Sequence, residues 1–343
     1  MRLRLTALAA LIAASLSLVA CGGGSSSSSA TGGSTSASGS GGELTTVKMV
    51  QEWPVADGFW IPWILGKEKG FYEEAGINLE IIAPATEADT MKLLGTGQAD
   101  VAFTTIMDVL FAREAGAEVT AIGRYSSGNN WGVISREGEP LTPAELKGKT
   151  IGIYNDAWTR AQLSMVLASA GLTLDDVKTV VASDDTVPLL LENKVDAITG
   201  LTTAEGAEIV GDGKKYEFLE ATKYGVPDSP VLMFAANDDW LHENEALGKK
   251  FMAATERSLE YAIANPQEGI EAYVNAYGEA EEKSFLTEQW HDTIELFSKS
   301  PDGSYFSMDD QMWAPLLEAV KENGVVEKTF PPADYYTNKL LGV

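Results

Sequence analysis

Cysteine, histidine and basic residues are all scarce in this chain of 343 residues. It contains one cysteine and two histidines, and 25 Lys and Arg stand against 50 Asp and Glu, which gives a formal charge of −25. One cysteine excludes a disulfide framework, and two histidines leave few ligands for a zinc or iron site. The shortage of Lys and Arg argues against nucleic acid, because phosphate binding needs clustered basic residues. We therefore predict no metal, no cofactor and no nucleic-acid partner.

The N-terminal residues predict a secretion signal and a membrane anchor. An apolar run from Leu5 to Ala20 is shorter than the roughly 20 residues that span a bilayer, and it fits the core of a secretory signal. Cys21 and three glycines follow, which resembles the lipobox of bacterial lipoproteins; the alternative is a buried structural cysteine. We predict a signal peptide over 1–21 and a flexible Gly/Ser-rich linker over 22–43. The protein is then extracytoplasmic and held at the cell membrane by a lipid on Cys21.

The remaining 300 residues alternate β-prone and helix-prone segments, and their length is enough for about two domains. The pattern β-α-β-α-β-α-β runs from Thr45 to Gly123 and starts again at Lys149, which predicts two α/β lobes with parallel sheets. From Asp238 onward the pattern predicts helices. We assign 44–124 and 231–343 to lobe 1 and 125–230 to lobe 2. The cleft between the lobes, at the carboxyl ends of the strands, is the expected ligand site.

Several motifs resemble one known family. They are Gly66-Lys67-Glu68-Lys69-Gly70-Phe71-Tyr72-Glu73-Glu74-Ala75-Gly76-Ile77, Gly95-Thr96-Gly97-Gln98-Ala99-Asp100-Val101-Ala102, Glu145-Leu146-Lys147-Gly148-Lys149-Thr150-Ile151-Gly152, Tyr224-Gly225-Val226-Pro227 and Asn265-Pro266-Gln267-Glu268. This set is similar to periplasmic-type solute-binding proteins for sulfonates, taurine, nitrate and the thiamine pyrimidine, a group that includes the thiamine pyrimidine synthases.

The resemblance implies a type II periplasmic-binding-protein fold. It also implies the role of a lipid-anchored receptor that delivers a small solute to the permease and ATPase of an ABC importer. We expect a monomer whose two lobes close over the solute. The resemblance covers 47–277, and its motifs are mostly turn glycines and helix caps, so none of them names the solute.

The segment 52–63 is the most informative part of the predicted cleft, with three Trp, one Phe and two carboxylates in twelve residues. An aromatic wall beside a carboxylate suits a flat, nitrogen-rich or cationic solute. Other predicted contacts follow strands or open helices. The predicted ligand-binding residues are Glu52, Trp53, Asp57, Phe59, Trp60, Thr105, Tyr125, Trp131, Asn155, Trp158, Thr159 and Tyr224. Alternatively, the aromatic residues pack the core, Asp57 caps a helix and Glu52 is a solvated strand end.

Two other functions compete with this interpretation. A sulfonate, nitrate or other small anion would pair with Arg124 or Arg160, although an acid at Asp57 repels anions from that helix start. A synthase-like enzyme is the second alternative. In the synthases a histidine usually lies two residues before the proline of the first helix, and this chain has Trp60 there. The two histidines of the chain, His242 and His291, lie in the predicted helical tail. We therefore predict a binding protein without enzymatic activity.

Overall fold

The computed structural model describes residues 43–182, 185–278 and 281–342. The predicted signal peptide, Cys21 and all of the predicted linker except Glu43 lie outside the described residues. No helix in the described part of the chain is both long and apolar enough to cross a membrane.

Ten strands and twelve α-helices lie along the described residues, and they alternate over 45–124 and 150–201, close to the two stretches where the sequence pattern predicts alternation. The strands are β1 (Thr45–Val50), β2 (Ile77–Ile82), β3 (Val101–Thr105), β4 (Val119–Arg124), β5 (Trp131–Arg136), β6 (Thr150–Ile153), β7 (Lys178–Val181), β8 (Ala197–Leu201), β9 (Tyr216–Glu220) and β10 (Leu232–Asn237). The helices are α1 (Ile61–Glu68), α2 (Phe71–Glu74), α3 (Glu87–Gly95), α4 (Ile106–Glu114), α5 (Ala157–Ala168), α6 (Val187–Leu191), α7 (Ala207–Gly211), α8 (Asp238–Glu243), α9 (Glu245–Ala264), α10 (Pro266–Tyr277), α11 (Lys283–Glu295) and α12 (Asp310–Glu322).

The strands form two five-stranded sheets, which confirms the predicted α/β class. The first sheet has the order β2-β1-β3-β10-β4 and the second β7-β6-β8-β5-β9. Strands β1, β2 and β3 pair in parallel, as do β6, β7 and β8. Each sheet also contains one antiparallel strand, β10 in the first and β5 in the second. Both sheets are therefore mixed, a detail that the alternation of elements does not reveal.

The antiparallel strands show which edges of the two sheets face each other. Each is the first strand after the chain crosses from one sheet to the other. Leu232 at the start of β10 pairs with Thr105 at the end of β3, and Trp131 at the start of β5 pairs with Leu201 at the end of β8. Both crossings therefore lie at the carboxyl ends of the parallel strands, which is where ligands bind in α/β folds.

The two crossing segments, 125–130 and 221–231, are tied to each other by hydrogen bonds. The backbone N–H of Asn129 donates to Oδ1 of Asp228 at 2.7 Å, and the Asn129 side chain donates to the carbonyl of Pro227 at 3.3 Å. Gly128 has a φ of +70°, and a Cβ there would lie 2.7 Å from Asp228 Oδ1. The described residues form one compact unit, so the division into lobes at 124/125 and 230/231 stays a prediction.

The C-terminal helices cover the first sheet. Helix α1 packs against α9 and α10, and the approach is close because Gly66 has no side chain: a Cβ there would lie 2.0 Å from Ser258 Oγ. Trp63, on the same helix, is fully buried among Phe103, Tyr125 and Phe234. This packing fixes the start of α1 and with it the segment 52–60 that leads into the site.

Candidate functional site

Five carboxyl groups converge where the parallel strands of the two sheets end. The first sheet contributes one from the loop after β1 and one each from the first turns of α3 and α4. The second sheet contributes one from the loop after β6 and one from the turn after β8. We call the set the acidic cluster; its members are Glu52, Glu87, Asp108, Asp156 and Glu205.

Glu52 and Asp108 form one end of the acidic cluster. The Glu52 side chain is only 7% exposed, and its carboxyl group lies beside the Thr104 hydroxyl and the carboxyl of Asp108. Burial, and next the negative charge of Asp108, raise the pKa of Glu52 well above its ordinary value. Asp108 accepts a hydrogen bond from the Thr105 hydroxyl, and burial raises its pKa as well. Glu52 Oε2 itself is buried and has no partner at hydrogen-bond distance, so one oxygen of this pair is left without a donor.

Glu205 forms the other end of the acidic cluster. Its Oε2 accepts the backbone N–H of Leu201 at 2.8 Å, and the Tyr154 hydroxyl lies against the same carboxyl group. Gly200 makes this fold-back possible, because a Cβ there would lie 2.2 Å from Glu205 Oε2. Burial raises the pKa of Glu205 from 4.5 to about 7. This carboxyl group therefore loses its proton near neutral pH.

Glu87 and Asp156 connect the two ends across the gap between the sheets. Burial is the largest cause that raises the pKa of Glu87 to about 7, followed by the charges of Asp156, Asp108 and Glu205. Asp156 caps α5 by accepting the N–H of Thr159 at 2.5 Å, and burial raises its pKa too. Carboxylates from both sheets therefore act on one another electrostatically at this place.

Cations are missing around the acidic cluster in the described part of the chain. The ion pairs within residues 43–182, 185–278 and 281–342 involve other carboxylates, and none includes a member of the cluster. Arg160 lowers the pKa of Asp156, but it is the last of the five causes that act on that group. Buried carboxylates normally have a paired cation, so this site is short of positive charge.

Indole rings lie at the same strand ends as the acidic cluster. Trp53, next to Glu52, is half-buried and contacts Phe59 and Phe103 edge-on, with ring centroids 5.6 Å apart in each case. Trp131 begins β5 and contacts Trp158 in the first turn of α5, with a centroid distance of 6.1 Å. The Nε1 atoms of Trp53 and Trp131 are buried and lack hydrogen-bond partners. The Trp53 side chain nevertheless lies close enough to Asp57 to lower its pKa, which leaves Trp131 as the donor without a neighbouring acceptor.

Three of the predicted aromatic contacts lie deeper than the sequence suggests. Phe59 and Tyr125 are each 1% exposed, and the Tyr125 hydroxyl donates to the backbone carbonyl of Phe59 at 2.9 Å. Both rings therefore belong to the aromatic core beneath Trp53. Trp60 is also buried and faces Tyr277 across 6.0 Å, at a separate cavity of about 320 Å³ lined by the 54–56 loop and the end of β2.

The predicted polar contacts divide into helix caps and surface positions. Asp57 accepts the N–H of Phe59 at 3.0 Å and the side-chain amide of Gln289 at 3.2 Å, and burial raises its pKa to about 8. Thr105 caps α4. The others are placed as follows: Asn155 is exposed beside Asp156, Thr159 is buried in the first turn of α5, and Tyr224 is half-buried in the second crossing segment. Their contact with a solute stays a prediction.

Glu87, Asp108 and Glu205 are absent from the sequence-based set of ligand contacts. Each lies in the first turn of a helix or in the turn after a strand, so the rule that selects Glu52 applies to them equally. Asp156 lies inside the predicted loop 155–159 but is not among the predicted contacts. What the sequence does not reveal is that residues 52 and 108 meet, because that requires β1 and β3 to be neighbours.

Two mixed α/β sheets with facing strand ends define the periplasmic-binding-protein fold, and solved structures agree. The aliphatic sulphonate binding protein from Escherichia coli aligns with a TM-score of 0.66 and 15% identity, over 86% of this chain and 98% of that one. A ligand-binding component of an ABC-type import system from Staphylococcus aureus, solved with zinc bound, gives a TM-score of 0.66 and 12% identity, over 87% of this chain and 98% of that one.

The chain belongs to the NMT1/THI5-like family, whose model matches residues 60–269. This confirms the family resemblance found in the sequence. A curated relative from Aspergillus parasiticus, named 4-amino-5-hydroxymethyl-2-methylpyrimidine phosphate synthase, is 25% identical over 296 residues, which cover 82% of this chain and 83% of the relative.

The prediction that the chain lacks enzymatic activity is contradicted by this comparison, because the relative carries an enzyme name. The prediction rested on single residues, namely Trp60 in the place of a histidine and the positions of His242 and His291. Both histidines are exposed, in α8 and α11. Among the described residues no three His, Cys, Asp or Glu side chains are arranged to hold a metal ion.

Proposed function

We propose that this chain is the solute-binding component of an ABC importer and that it captures a small nitrogen-rich aromatic or cationic solute. The protein works outside the cytoplasm, held to the membrane by a lipid on Cys21, and releases the solute to a permease. Structural neighbours of this fold include ligand-binding components of ABC-type import systems, which supports the transport role.

The observation that carries the proposed solute class is the acidic cluster without a cation beside indole rings. Two unit charges about 4 Å apart interact by about 4 kcal/mol at the effective dielectric constant of about 20 that suits protein sites. A cation therefore gains an attraction of this order from each ionised carboxylate that it contacts, whereas an anion meets repulsion. A flat ring also gains about 0.5–1.5 kcal/mol from each aromatic contact.

One of the two arginines that would serve an anion is already engaged, and the other lies beside a carboxylate. Arg124 is 3% exposed and donates to the backbone carbonyls of Ser307 at 3.0 Å and Ser298 at 2.6 Å. Arg160 is half-buried next to the carboxylate of Asp156. Arg124 is therefore not free to pair with a sulfonate or nitrate, and Arg160 lies beside a carboxylate that would repel an anion, which favours the cationic class over the anionic one.

Closure of the two sheets about the crossing segments supplies the mechanism. A solute that touches carboxylates of both sheets binds the closed form better than the open form, and this difference in affinity drives closure. Residues 125–130 and 221–231 bend together, because Asn129 and Asp228 join them.

Isothermal titration calorimetry tests the proposal with defined compounds. We expect 4-amino-5-hydroxymethyl-2-methylpyrimidine or small primary amines to bind, and taurine and nitrate to give no heat beyond dilution. Glu52→Gln should weaken amine binding, and Glu318→Gln on the exposed face of α12 is the matched control. Tight binding of taurine or nitrate, unchanged in Glu52→Gln, contradicts the proposed solute class.

Pyrimidine phosphate synthesis is a second candidate, favoured by the name of the curated relatives. A bacterial host that requires the pyrimidine for growth separates the two functions. Growth without any added pyrimidine after expression of this chain supports synthesis. Growth that still needs added pyrimidine, but at a lower concentration and only with the cognate permease, supports uptake.

A further inference from the structure

We infer that the solute carries two separate cationic nitrogen groups, one held by the carboxylates of the first sheet and one by those of the second. This inference rests on the proposed function, since it specifies the charge of the solute that the acidic cluster binds.

The acidic cluster has two ends that share no immediate neighbour. At one end Glu52, in the loop after β1, lies against Thr104 near the end of β3 and Asp108 in the first turn of α4. At the other end Glu205 lies against Leu201, the last residue of β8, and Tyr154, which follows β6. Glu87 connects the two ends, because the charges of both Asp108 and Glu205 act on it. A single positive charge next to one end leaves the other end without a counter-ion.

Unpartnered polar atoms mark the cluster as a binding site rather than a surface patch. Glu52 Oε2 is buried with no donor, on a side chain that is 93% buried. Asp156 Oδ2, on the second sheet, is likewise buried without a hydrogen-bond partner. Buried polar groups in native proteins are nearly always hydrogen-bonded. A solute with donors toward Glu52 and toward Asp156 would satisfy both.

Net electrostatics also favours two charges over one. The carboxyl groups of Glu87 and Glu205 lose their protons near pH 7, because their pKa values are about 7. A bound cation lowers those pKa values and keeps the groups ionised. Each additional cationic group then meets its own carboxylate, since the two ends lie on different sheets. A dication therefore neutralises carboxylates of both sheets. A monocation neutralises those of one sheet, and the carboxylates of the other sheet still repel one another.

The test compares amines that differ only in their number of charges. The full chain is titrated calorimetrically at pH 7.5 with 1,4-diaminobutane, 1-aminobutane and 4-amino-5-hydroxymethyl-2-methylpyrimidine, with Mg²⁺ as a small inorganic dication. We expect the diamine to bind at least about tenfold tighter than the monoamine, which corresponds to one added ion pair of modest strength. Glu52→Gln and Glu205→Gln should each remove most of this preference, and Glu318→Gln should leave it unchanged.

The possible results separate this inference from the proposed function. Equal affinity for the diamine and monoamine overturns the inference, and so does an equal effect of Mg²⁺ or a preference that survives both Gln substitutions. If the pyrimidine binds and neither amine does, the inference is overturned and the proposed function stands. If neither the amines nor the pyrimidine bind, both fail. Circular dichroism of each variant shows whether a lost preference reflects loss of the fold, and the preference is compared among the variants that retain the fold.

Discussion

Glu205→Gln should stabilise the protein without solute at alkaline pH. Folding raises the pKa of Glu205 from 4.5 to about 7, chiefly through burial. Between these two values the folded protein keeps a proton that the unfolded chain has lost, so its stability falls as the pH rises through this window. With 1.36 kcal/mol for each unit of pKa, the full cost above about pH 7 is about 3 kcal/mol. Glutamine avoids this cost, and its side-chain oxygen can still accept the N–H of Leu201.

Urea unfolding of both proteins at a series of pH values measures the effect. The free energies of unfolding should be nearly equal at about pH 4, and the variant should be more stable by up to about 3 kcal/mol at about pH 8. Glu318→Gln, an exposed position on α12, should follow the wild type at every pH. Parallel curves for Glu205→Gln and the wild type would refute the claim that this carboxyl group is buried with a raised pKa. A saturating diamine should shrink the difference, because it supplies the missing charge.

Three further predictions concern the aromatic wall, the membrane tether and the second sheet. Trp53→Ala should weaken solute binding by about tenfold in calorimetry, because one aromatic contact is worth about 0.5–1.5 kcal/mol. The control Trp240→Ala on α8 should leave binding unchanged, and equal losses of affinity in the two variants would remove Trp53 from the site. Cys21→Ala should move the protein from the membrane fraction to the soluble fraction, and continued membrane association would contradict lipidation. Gly132→Ala should destabilise the fold by about 2 kcal/mol, because its Cβ would lie 2.3 Å from the Leu219 carbonyl oxygen. Gly95→Ala, with 3.6 Å of space, is the control, and equal urea midpoints for the two variants would show the contact to be relaxed.

The local elements could be predicted from the sequence because their signals are local. The apolar spacing after Asp238 and the capping residues place helices α9, α10 and α12 near their observed ends. The insertion of β10 between β3 and β4 could not be predicted in this way. It depends on pairing between residues more than 100 positions apart, and no turn or helix signal encodes that pairing.

The candidate site was predictable in its chemistry and only partly in its residues. Glu52 and Trp53 lie directly after β1, at the carboxyl end of a strand, where the sequence analysis expects ligand contacts. Phe59 and Tyr125 do not, because the hydroxyl of Tyr125 is satisfied by a backbone carbonyl inside the core, and sequence patterns do not show which buried hydroxyls find such partners. The meeting of Glu52 with Asp108 depends likewise on sheet order.

Under the proposed function, the carboxylate of Asp228 has a consequence for the rate of solute release. Asp228 joins the two crossing segments by accepting the backbone N–H of Asn129. The segments therefore bend together and not as two independent hinges. Asn129 and Asp228 themselves are not among the predicted ligand-binding residues. Under the proposed function, a change at Asp228 would therefore alter how often the two sheets separate while leaving the solute contacts of the closed form intact, which separates the timing of solute release from solute selection.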